Sequence, residues 1–342
     1  MQTRDEPLTQ IAIDNVHDFT LPATQSSPAA RRALRALEPG CLPRGGELAL
    51  RGRFAELHGV ELDGVALGNG STELLHLLLR SLGAGNMVVV LAPALAEYER
   101  AAKLAGVLTV SLLASAETDF VWDISLVCQR LAQLRPAAVL LANPSGLTGS
   151  LLDEQSIEAL AGAIPAGVLV LDETQMCFAD RPPALRRARG NLLSIRSMSF
   201  EHGLAGLRLG YAIGPAHVVA AMQTQQPARA INAAAQVAAI ASLDDPGWTD
   251  RSSARLRRHR SALARALARI GFCVLPSQAA YLLVETQEAA WLCAALAALG
   301  IKVTDGARLG VPGHIQIAVR GGEAARRLVD EMKRLLGGRT ER

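Results

Sequence analysis

The sequence contains very little lysine and almost no excess charge. Three of its 35 basic residues are lysines (Lys103, Lys302 and Lys333), and the 32 acidic residues leave a net charge of +3 at pH 7. Proteins whose main partner is a nucleic acid or an acidic membrane carry a concentrated basic surface. The near balance of charge therefore argues against both kinds of partner.

Cysteine motifs and metal-ligand spacings are also missing. The five cysteines are odd in number, lie far apart and form no C-x-x-C motif, and the histidines show no ligand spacing. This pattern is typical of reduced thiols in a cytoplasmic protein, most of them small core residues. We therefore expect a cytoplasmic location and no metal site.

Long apolar runs are absent as well. No stretch reaches the roughly 18 apolar residues that a membrane span needs. The N-terminal segment MQTRDEPLTQIAID contains acids and no apolar core, unlike a signal peptide. Half of the residues are hydrophobic and 20% are charged. A chain of 342 residues with this composition is expected to bury a sizeable core, in one large and one smaller domain.

Short apolar runs alternate with helix-length segments through the middle of the chain. The predicted strands are Met87–Leu91, Leu108–Leu113, Ala137–Leu141, Gly167–Leu171, Leu192–Arg196 and Leu209–Ile213. Strands spaced in this way predict an α/β fold, in which a mainly parallel sheet lies between helices. Ligands of such sheets bind beyond the carboxyl ends of the strands. We therefore expect the functional site in the turns that follow these runs.

The remaining segments divide the chain into three parts. Residues 1–45 hold an extended arm and one helix, residues 46–245 form the large domain, and residues 246–342 form a smaller α+β domain. The large domain is expected to end in an Ala-rich helical segment at Ala216–Asp244. The small domain is expected to contain an amphipathic helix at Asp250–Ile270, four short strands and a closing helix.

A glycine-rich turn, GNGSTELL at 68–75, precedes a predicted helix. Its Gly-Ser-Thr sequence offers free backbone N–H groups at the positive end of the helix, which favours a bound anion by about 0.3–1 kcal/mol. The motif is weak on its own, because Ser71 or Thr72 also fits an ordinary helix N-cap.

Five further segments follow this turn in a specific order and spacing. They are PALAEYERAA (93–102), NPSGLTG (143–149), LDETQMCF (171–178), RSMSFEHGLAGLRLGY (196–211) and HIQIAVR (314–320). Together with GNGSTELL they resemble the class I/II aminotransferases, which are pyridoxal-phosphate enzymes of fold type I. The resemblance is greatest to histidinol-phosphate aminotransferases and threonine-phosphate decarboxylases. It implies a large domain with a mainly parallel sheet between helices, a smaller C-terminal α+β domain, and a homodimer with the pocket at the subunit interface.

The resemblance implies that the phosphate-binding part of the cofactor site is retained. The residues that match phosphate ligands of the family are Gly70, Ser71, Thr72, Ser197, Ser199 and Arg208. An arginine beside hydroxyl groups and a helix N-terminus suits a phosphate, because its fork of N–H donors fits the oxygens. Asp172 matches the aspartate that pairs with the pyridine nitrogen and keeps it protonated.

The resemblance also implies that the rest of the cofactor site has changed. Phe200 stands where the family has the lysine that forms a Schiff base, and it fills the space of that side chain. The other changes are Leu95 for a stacking aromatic ring, Gly146 and Gln175 for the asparagine and tyrosine that hold the ring oxygen, Leu42 for a partner subunit's phosphate-binding tyrosine, and Gln316 for the arginine that binds the substrate carboxylate. No lysine lies in an equivalent loop, although Lys302, near the domain junction, stays a candidate.

Three functions are compatible with this pattern. The first is an enzyme or binding protein of small-molecule biosynthesis that holds a phosphate-bearing small molecule without a lysine-linked cofactor. The second is a transferase or lyase that binds pyridoxal or pyridoxamine phosphate noncovalently, with Asp172 at the ring and His202 as base. His202 and the adjoining Glu201 equally fit a surface turn. The third is a catalytically silent paralogue that pairs with an active enzyme. Ordinary transamination is expected to be absent, since it needs a lysine nitrogen.

Overall fold

Strands and helices alternate along most of the described chain, which comprises residues 17–40, 45–180 and 190–340 of the computed structural model. The strands are β1 (His17–Asp18), β2 (Val65–Gly68), β3 (Met87–Ala92), β4 (Leu108–Leu113), β5 (Ala138–Ala142), β6 (Val168–Asp172), β7 (Leu192–Ser197), β8 (Gly210–Ile213), β9 (Tyr281–Glu285), β10 (Ile301–Lys302), β11 (Thr304–Asp305) and β12 (His314–Ala318). The α-helices are α1 (Pro28–Arg35), α2 (Gly46–His58), α3 (Gly70–Leu82), α4 (Ala96–Ala105), α5 (Ile124–Leu134), α6 (Glu154–Ala163), α7 (Met198–Glu201), α8 (Ala216–Gln223), α9 (Ala233–Leu243), α10 (Pro246–Arg269), α11 (Ala289–Ala298) and α12 (Gly322–Thr340).

The central sheet has the strand order β2-β8-β7-β6-β5-β3-β4. Neighbours from β7 to β4 run parallel, whereas β8 runs antiparallel to both β7 and β2. The mainly parallel sheet predicted from the sequence is confirmed, and each of the predicted strands occurs to within one residue at either end. β2 has no counterpart in the prediction, because its four residues run directly into the glycine-rich turn.

Helices cover both faces of this sheet. Along β3, Val88 and Val90 contact the apolar cluster under α3, α4 and α8, whereas Val89 and Leu91 contact the cluster under α5 and α6. Successive side chains of a strand point to opposite faces, so a strand buried on both sides needs an uninterrupted apolar run. This requirement explains the sequence MVVVLA of β3.

A three-stranded antiparallel sheet, β11-β12-β9, packs with α10, α11 and α12 in the C-terminal part of the chain. The N-terminal arm joins this part, because β1 pairs with β10 and Phe19 is fully buried in the same apolar cluster. A smaller C-terminal domain is therefore confirmed. The exact boundary between residues 245 and 246 stays a prediction, although α10 begins at Pro246.

Two expected elements differ from the structure. The Ala-rich stretch Ala216–Asp244 forms two helices, α8 and α9, because Pro227 cannot continue a helix and Asn232 caps the start of α9. The stretch Cys273–Leu275, expected as one of the four short strands, forms an isolated bridge in which Val274 pairs with β9.

Within the described ranges, no helix is both long enough and apolar enough to cross a membrane. The same residues contain no cluster of three or more His, Cys, Asp or Glu side chains that could hold a metal ion. The described cysteines, Cys128, Cys177, Cys273 and Cys293, are free thiols.

Candidate functional site

A cavity of about 530 Å³ opens at the carboxyl ends of β5, β6 and β7. Asp172 ends β6 and Ser197 ends β7, and both residues line the cavity. The other walls come from the N-terminal arm, through Leu21 and Thr24, and from the smaller sheet, through Gln316 on β12. The cavity therefore lies where the central sheet, the arm and the smaller sheet meet.

Arg208 lies beside the N-terminus of α3. A Cβ atom placed on Gly70 would be 2.5 Å from Nη2 of Arg208, so the guanidinium rests directly against the first helical residue. Gly70 also has a φ of +81°, which favours glycine. The first N–H groups of a helix have no partners within it. Arg208 and this helix end therefore present their donors to the same region, which Ser71 also lines.

Arg208 itself combines an uncommon backbone conformation with a largely free guanidinium. Its φ of +55° lies in the left-handed region, which costs a non-glycine residue about 1–2 kcal/mol. Nη1 donates to Oγ of Ser199 at 3.3 Å and to the carbonyl oxygen of Ala205 at 3.4 Å. Among the described residues Nη2 has no acceptor, and the residue is exposed at the cavity. Most of its donors are therefore available to a ligand.

The hydroxyl groups expected near the phosphate fall into two sets. Ser197 and Ser199 are buried and line the cavity. Oγ of Ser197 accepts a hydrogen bond from the backbone N–H of Ser199 at 3.1 Å and caps α7. Each hydroxyl keeps its own hydrogen to donate to an oxyanion. Thr72 is instead exposed and lines a smaller adjoining pocket, so the structure does not bring it into the cavity.

Both carboxylate oxygens of Asp172 accept hydrogen bonds. Oδ2 accepts from the hydroxyl of Tyr98 at 2.8 Å, and Oδ1 accepts from the backbone N–H of Thr174 at 3.0 Å. Burial, assisted by the Asp172 carboxylate, raises the pKa of Tyr98 well above its ordinary value, so this hydroxyl keeps its proton. Each carboxylate oxygen has room for a second donor. Asp172 can therefore also accept a hydrogen bond from a ligand.

No lysine lines this cavity. All three lysines of the sequence fall within the described residues and are exposed: Lys103 lies on α4, Lys302 on β10 and Lys333 on α12. Lys302, the candidate left open above, lies opposite Asp18 of the arm in the β1–β10 pair. The structure thus removes Lys302 from the pocket. Leu42 lies outside the described residues.

Leu95, Gly146 and Phe200 all line the cavity. Leu95 is 41% exposed and also lines the adjoining pocket. Phe200 is half-buried and packs against the apolar cluster of the C-terminal part. A Cβ on Gly146 would meet only Cγ of Gln175, at 3.8 Å, so space does not require glycine at this position.

Two buried glutamine side chains connect separate parts of the cavity wall. Oε1 of Gln175 accepts a hydrogen bond from the backbone N–H of Ala280 at 3.0 Å. Nε2 of Gln316 donates to the carbonyl oxygens of Gly146, at 2.9 Å, and Leu147, at 3.2 Å. The side chain of Gln316 on β12 therefore connects this strand to the loop after β5 through two hydrogen bonds.

His202 is buried outside the cavity. Its Nδ1 lies 3.4 Å from Oγ1 of Thr249 on α10, and it does not belong to the cavity lining among the described residues. Burial lowers the pKa of His202 below its ordinary value of 6.5, so the ring is neutral at pH 7. The surface-turn interpretation of His202 is wrong, because α10 covers it. The structure also gives it no access to a ligand in the cavity.

Comparison with known proteins identifies the family of the chain. The family described as aminotransferase class I and II matches residues 22–331. The chain belongs to this family. The histidinol-phosphate aminotransferase of Symbiobacterium thermophilum is 31% identical over 323 residues, which cover 92% of this chain and 88% of that protein. Histidinol-phosphate aminotransferase 2 of Burkholderia pseudomallei is 37% identical over 230 residues, covering 66% of this chain and 64% of that protein.

Solved structures of the family share the fold. A putative aminotransferase from Burkholderia pseudomallei K96243 has a TM-score of 0.85 at 26% identity, over 95% of this chain and 99% of that one. L-threonine-O-3-phosphate decarboxylase from Porphyromonas gingivalis has a TM-score of 0.80 at 21% identity, over 94% of this chain and 99% of that one. The fold type I aminotransferase architecture predicted from the sequence is confirmed.

The described residues of this aminotransferase-family cavity do not fit a lysine-linked cofactor. A covalent link to the aldehyde of pyridoxal phosphate needs an amine nucleophile, and no lysine lines the described cavity. Leu95 offers no aromatic face for a ring to stack on. The donors of Arg208 and Ser199 do fit a phosphate group.

Sequence reasoning missed Tyr98 and the arm residues of the cavity wall. Tyr98 lies within the motif PALAEYERAA on α4, three positions after Leu95, which precedes the helix. Its hydrogen bond to Asp172 joins residues 74 positions apart, so no local signal in the sequence indicated it. Leu21 and Thr24 carried no such signal. Their place in the wall depends on the pairing of β1 with β10, which is far away in the chain.

Proposed function

We propose that this aminotransferase-family protein binds a phosphate-bearing small molecule at Arg208 and does not catalyse lysine-dependent transamination. One observation carries the proposal: oxyanion donors converge on a cavity whose described lining contains no lysine. The relatives named as histidinol-phosphate aminotransferases support a role in small-molecule biosynthesis with a phosphorylated ligand.

Three features of the cavity support phosphate binding. An arginine presents a fork of charged N–H donors, which fits two phosphate oxygens at once. The N-terminus of α3 adds backbone donors and a partial positive charge next to Nη2. Arg208 also holds a left-handed backbone conformation, and such strained residues concentrate at functional sites.

The position of the lysines supports the second half of the proposal. Transamination through a lysine requires its amine to attack the cofactor aldehyde and then to move a proton. The exposed side chains of Lys103, Lys302 and Lys333 lie on α4, β10 and α12, away from the cavity lining. Phe200 fills part of the wall and offers no proton-transferring group.

A noncovalent cofactor is a weaker alternative. Asp172 is able to accept a hydrogen bond from a ring nitrogen, which supports noncovalent pyridoxal or pyridoxamine phosphate. The base proposed for such chemistry, His202, is packed against Thr249 and does not reach the described cavity. Pyridoxal and pyridoxamine phosphate are therefore included among the ligands tested for binding, and no catalytic step is proposed for them.

Calorimetry on the purified 342-residue protein tests the proposal. The ligands are inorganic phosphate, L-histidinol phosphate, pyridoxal phosphate, pyridoxamine phosphate and phosphothreonine. At least one should bind, and Arg208→Ala should weaken that binding by about 1.5–3 kcal/mol, the range for a charged hydrogen bond. Arg334→Ala is the matched control, because Arg334 is an exposed arginine that pairs with Glu331 on α12. The Arg334→Ala variant should bind the same ligand as tightly as the wild type does.

Mass spectrometry of the ligand retained by the native protein identifies the occupant directly. A phosphate ester is the expected finding. If no ligand in the panel binds, or if Arg208→Ala binds as the wild type does, the phosphate site is refuted and a catalytically silent paralogue is favoured. Retained pyridoxamine phosphate would favour the noncovalent alternative.

The proposal includes a homodimer, as the resemblance to class I/II aminotransferases implies. Light scattering at micromolar concentration should give twice the mass of the 342-residue chain. A monomeric mass would refute the dimer and leave the fold unaffected.

A further inference from the structure

A second cavity, of about 250 Å³, lies between α10 and α12. Much of its lining is apolar: Ala262 and Ala266 belong to α10, and Ala325 and Val329 belong to α12. The members of each pair are four residues apart, so they lie on the same side of their helix. No described residue lines both this cavity and the one at Arg208. This surface, the α10–α12 groove, is therefore a separate feature of the molecule.

Arginines border the groove at several points. Arg320 and Arg326 line it. On α10, Arg255 lies seven residues before Ala262, and Arg269 lies seven residues after it. Residues seven apart lie on nearly the same side of a helix. These two arginines therefore continue the apolar side of α10 in both directions.

The positive charge of α10 also reaches into the groove. His259 lines the groove, and burial lowers its pKa. The guanidinium groups of Arg255 and Arg258 lower this pKa further, so the ring is neutral at pH 7. Both arginines are therefore close enough to act on a group that binds in the groove.

The arginines at the groove have no anionic partner within the described ranges. Neither Arg255, Arg269, Arg320 nor Arg326 forms a salt bridge there. Nε of Arg320 is buried without a hydrogen-bond acceptor, and the guanidinium carbon lies 5.9 Å from the centre of the Phe19 ring. Because an arginine carries five N–H donors, most of the donors at the groove remain available to a partner.

Three carboxylates lie near the groove. Asp330 lines it, Glu323 is exposed in the first turn of α12, and Asp18 of the arm is close enough to Arg320 for their charges to interact. Burial raises the pKa of Asp18, but hydrogen bonds from Thr20 and the charge of Arg320 lower it overall, so this group is ionised at pH 7. The arginines named above outnumber these carboxylates, so the groove has an excess of positive charge.

An amphipathic helix with acidic side chains fits this surface. The segment from His259 to Ala266 is about 12 Å long, which is about two helical turns. The small side chains of Ala262 and Ala325 allow a third helix to approach closely, because the distance between packed helices depends on the side chains at the contact. Such a helix would cover the alanines with its apolar side and offer carboxylates to the arginines, which bind them in a bidentate geometry.

Nucleic acids and anionic membranes fit the groove less well. Its described lining contains no aromatic side chain on which a base could stack. Asp330 would repel a continuous row of phosphates, and the net charge of the chain is only +3. A helix of a partner protein avoids both difficulties, since its few carboxylates can lie at the arginines alone.

We propose that the α10–α12 groove is a docking surface for an acidic amphipathic α-helix of a partner protein. Arg320 and Arg326 bind carboxylates of this helix, and the floor formed by Ala262, Ala266 and Ala325 receives its apolar side chains. The partner is independent of the proposed phosphate ligand, because the two cavities have separate linings.

Fluorescence anisotropy with a labelled peptide tests the docking surface. The probe is an amphipathic peptide of about 15 residues, long enough to form a helix, with leucine on one face and glutamate on the other. In the control peptide, lysine replaces every glutamate. We expect the wild-type protein to bind the glutamate peptide at least about tenfold more tightly than the lysine peptide. Added salt should weaken this binding.

Two variants assign the binding to the groove. Arg326→Glu reverses one charge of the lining and should weaken binding of the glutamate peptide at least about tenfold. Ala262→Gln adds polar bulk to the floor without changing the charge and should weaken it as well. Arg130→Glu is the matched control, because Arg130 is exposed on α5 and its reversal changes the net charge equally; this variant should bind as the wild type does. All three residues are exposed, and circular dichroism checks that the variants fold.

Several results would overturn the proposal. One is equal binding of the two peptides by the wild type, and another is an unchanged affinity in folded Arg326→Glu. Vesicles containing phosphatidylserine, or an RNA duplex, that bind more tightly than the peptide and depend on Arg326 would replace the protein partner by a polyanion. A much higher peptide affinity after deletion of residues 1–16 would make this segment of the chain the occupant. A smaller mass of Arg326→Glu in light scattering would make a second copy the occupant.

Discussion

The guanidinium of Arg208 occupies the space that a side chain on Gly70 would need, since a Cβ at residue 70 would be 2.5 Å from Nη2. The glycine at the start of α3 and the arginine in the segment between α7 and β8 therefore depend on each other. This relationship links the stability of the helix end to the affinity for an oxyanion.

Gly70→Ala should weaken phosphate binding by about tenfold or more, because the methyl group displaces the guanidinium and loses part of a charged hydrogen bond. The variant should also lose about 1–3 kcal/mol of unfolding free energy, since alanine is strained at a φ of +81°.

Gly83→Ala is the control: Gly83 has a φ of +85° at the other end of α3, and a Cβ there meets only Nδ2 of Asn86 at 3.8 Å. Calorimetry and thermal melts should show both variants destabilised and only Gly70→Ala impaired in binding. Equal affinities would disprove the dependence on Arg208.

Phe200→Lys alone should not create a transaminase. Leu95 gives no stacking surface, Gly146 has no side-chain donor, and the amides of Gln175 and Gln316 are engaged with backbone groups. In both the wild type and the variant, we expect the rate of amino transfer from common amino acids to 2-oxoglutarate to stay far below about 1–10³ s⁻¹, the usual range of enzyme turnover. An ordinary turnover in either protein, measured in a coupled assay, would contradict the proposed function.

Glu173→Gln should be strongly destabilising. Oε2 of Glu173 accepts from Nε and Nη2 of Arg196 at 3.0 and 2.9 Å, and both side chains are nearly buried. Burial alone would lower the pKa of Arg196, but Glu173 and Tyr211 outweigh it and raise this pKa, so the guanidinium stays charged. Leaving that charge unpaired should cost about 3–5 kcal/mol in urea-unfolding experiments. The control Glu331→Gln breaks a pair with the exposed Arg334 and should cost less than about 1 kcal/mol; a similar loss in both variants would refute the prediction.

The free energy of unfolding should decrease as the pH falls from about 6.5 to about 3, because His58 is buried in its neutral form. Burial, reinforced by Arg196, lowers the pKa of His58 from 6.5 to about 3, and Nε2 lies 3.2 Å from the hydroxyl of Tyr211. In this range the unfolded chain binds a proton that the folded protein does not, so acid favours unfolding by about 1.4 kcal/mol per pH unit. Unfolding of His58→Gln across this pH range should show a correspondingly smaller slope, whereas a variant of the exposed His217 should match the wild type. An unchanged slope in His58→Gln would disprove the assignment.

The sheet could be predicted from the sequence because its strands are buried on both faces. Val88–Leu91 must be apolar without interruption, since alternate side chains enter different clusters. The order and spacing of the motifs then indicated the family by resemblance. Five of the motifs follow strands of that sheet at one edge, whereas HIQIAVR lies on β12 of the smaller sheet. β2 and the break at Pro227 were harder to predict, since a four-residue strand and a loop within an Ala-rich stretch give weak periodic patterns.

The sequence by itself determined the chemistry available to the site: one well-placed arginine, several hydroxyl groups and only three lysines in the whole chain. Only the tertiary structure decided which of these groups reach the cavity. His202 lies two residues from Phe200, yet α10 covers it. Gln316 donates both hydrogens of Nε2 to the carbonyl oxygens of Gly146 and Leu147. A hydrogen-bond partner that comes from a distant segment leaves no trace in local sequence, because folding alone brings the two segments together.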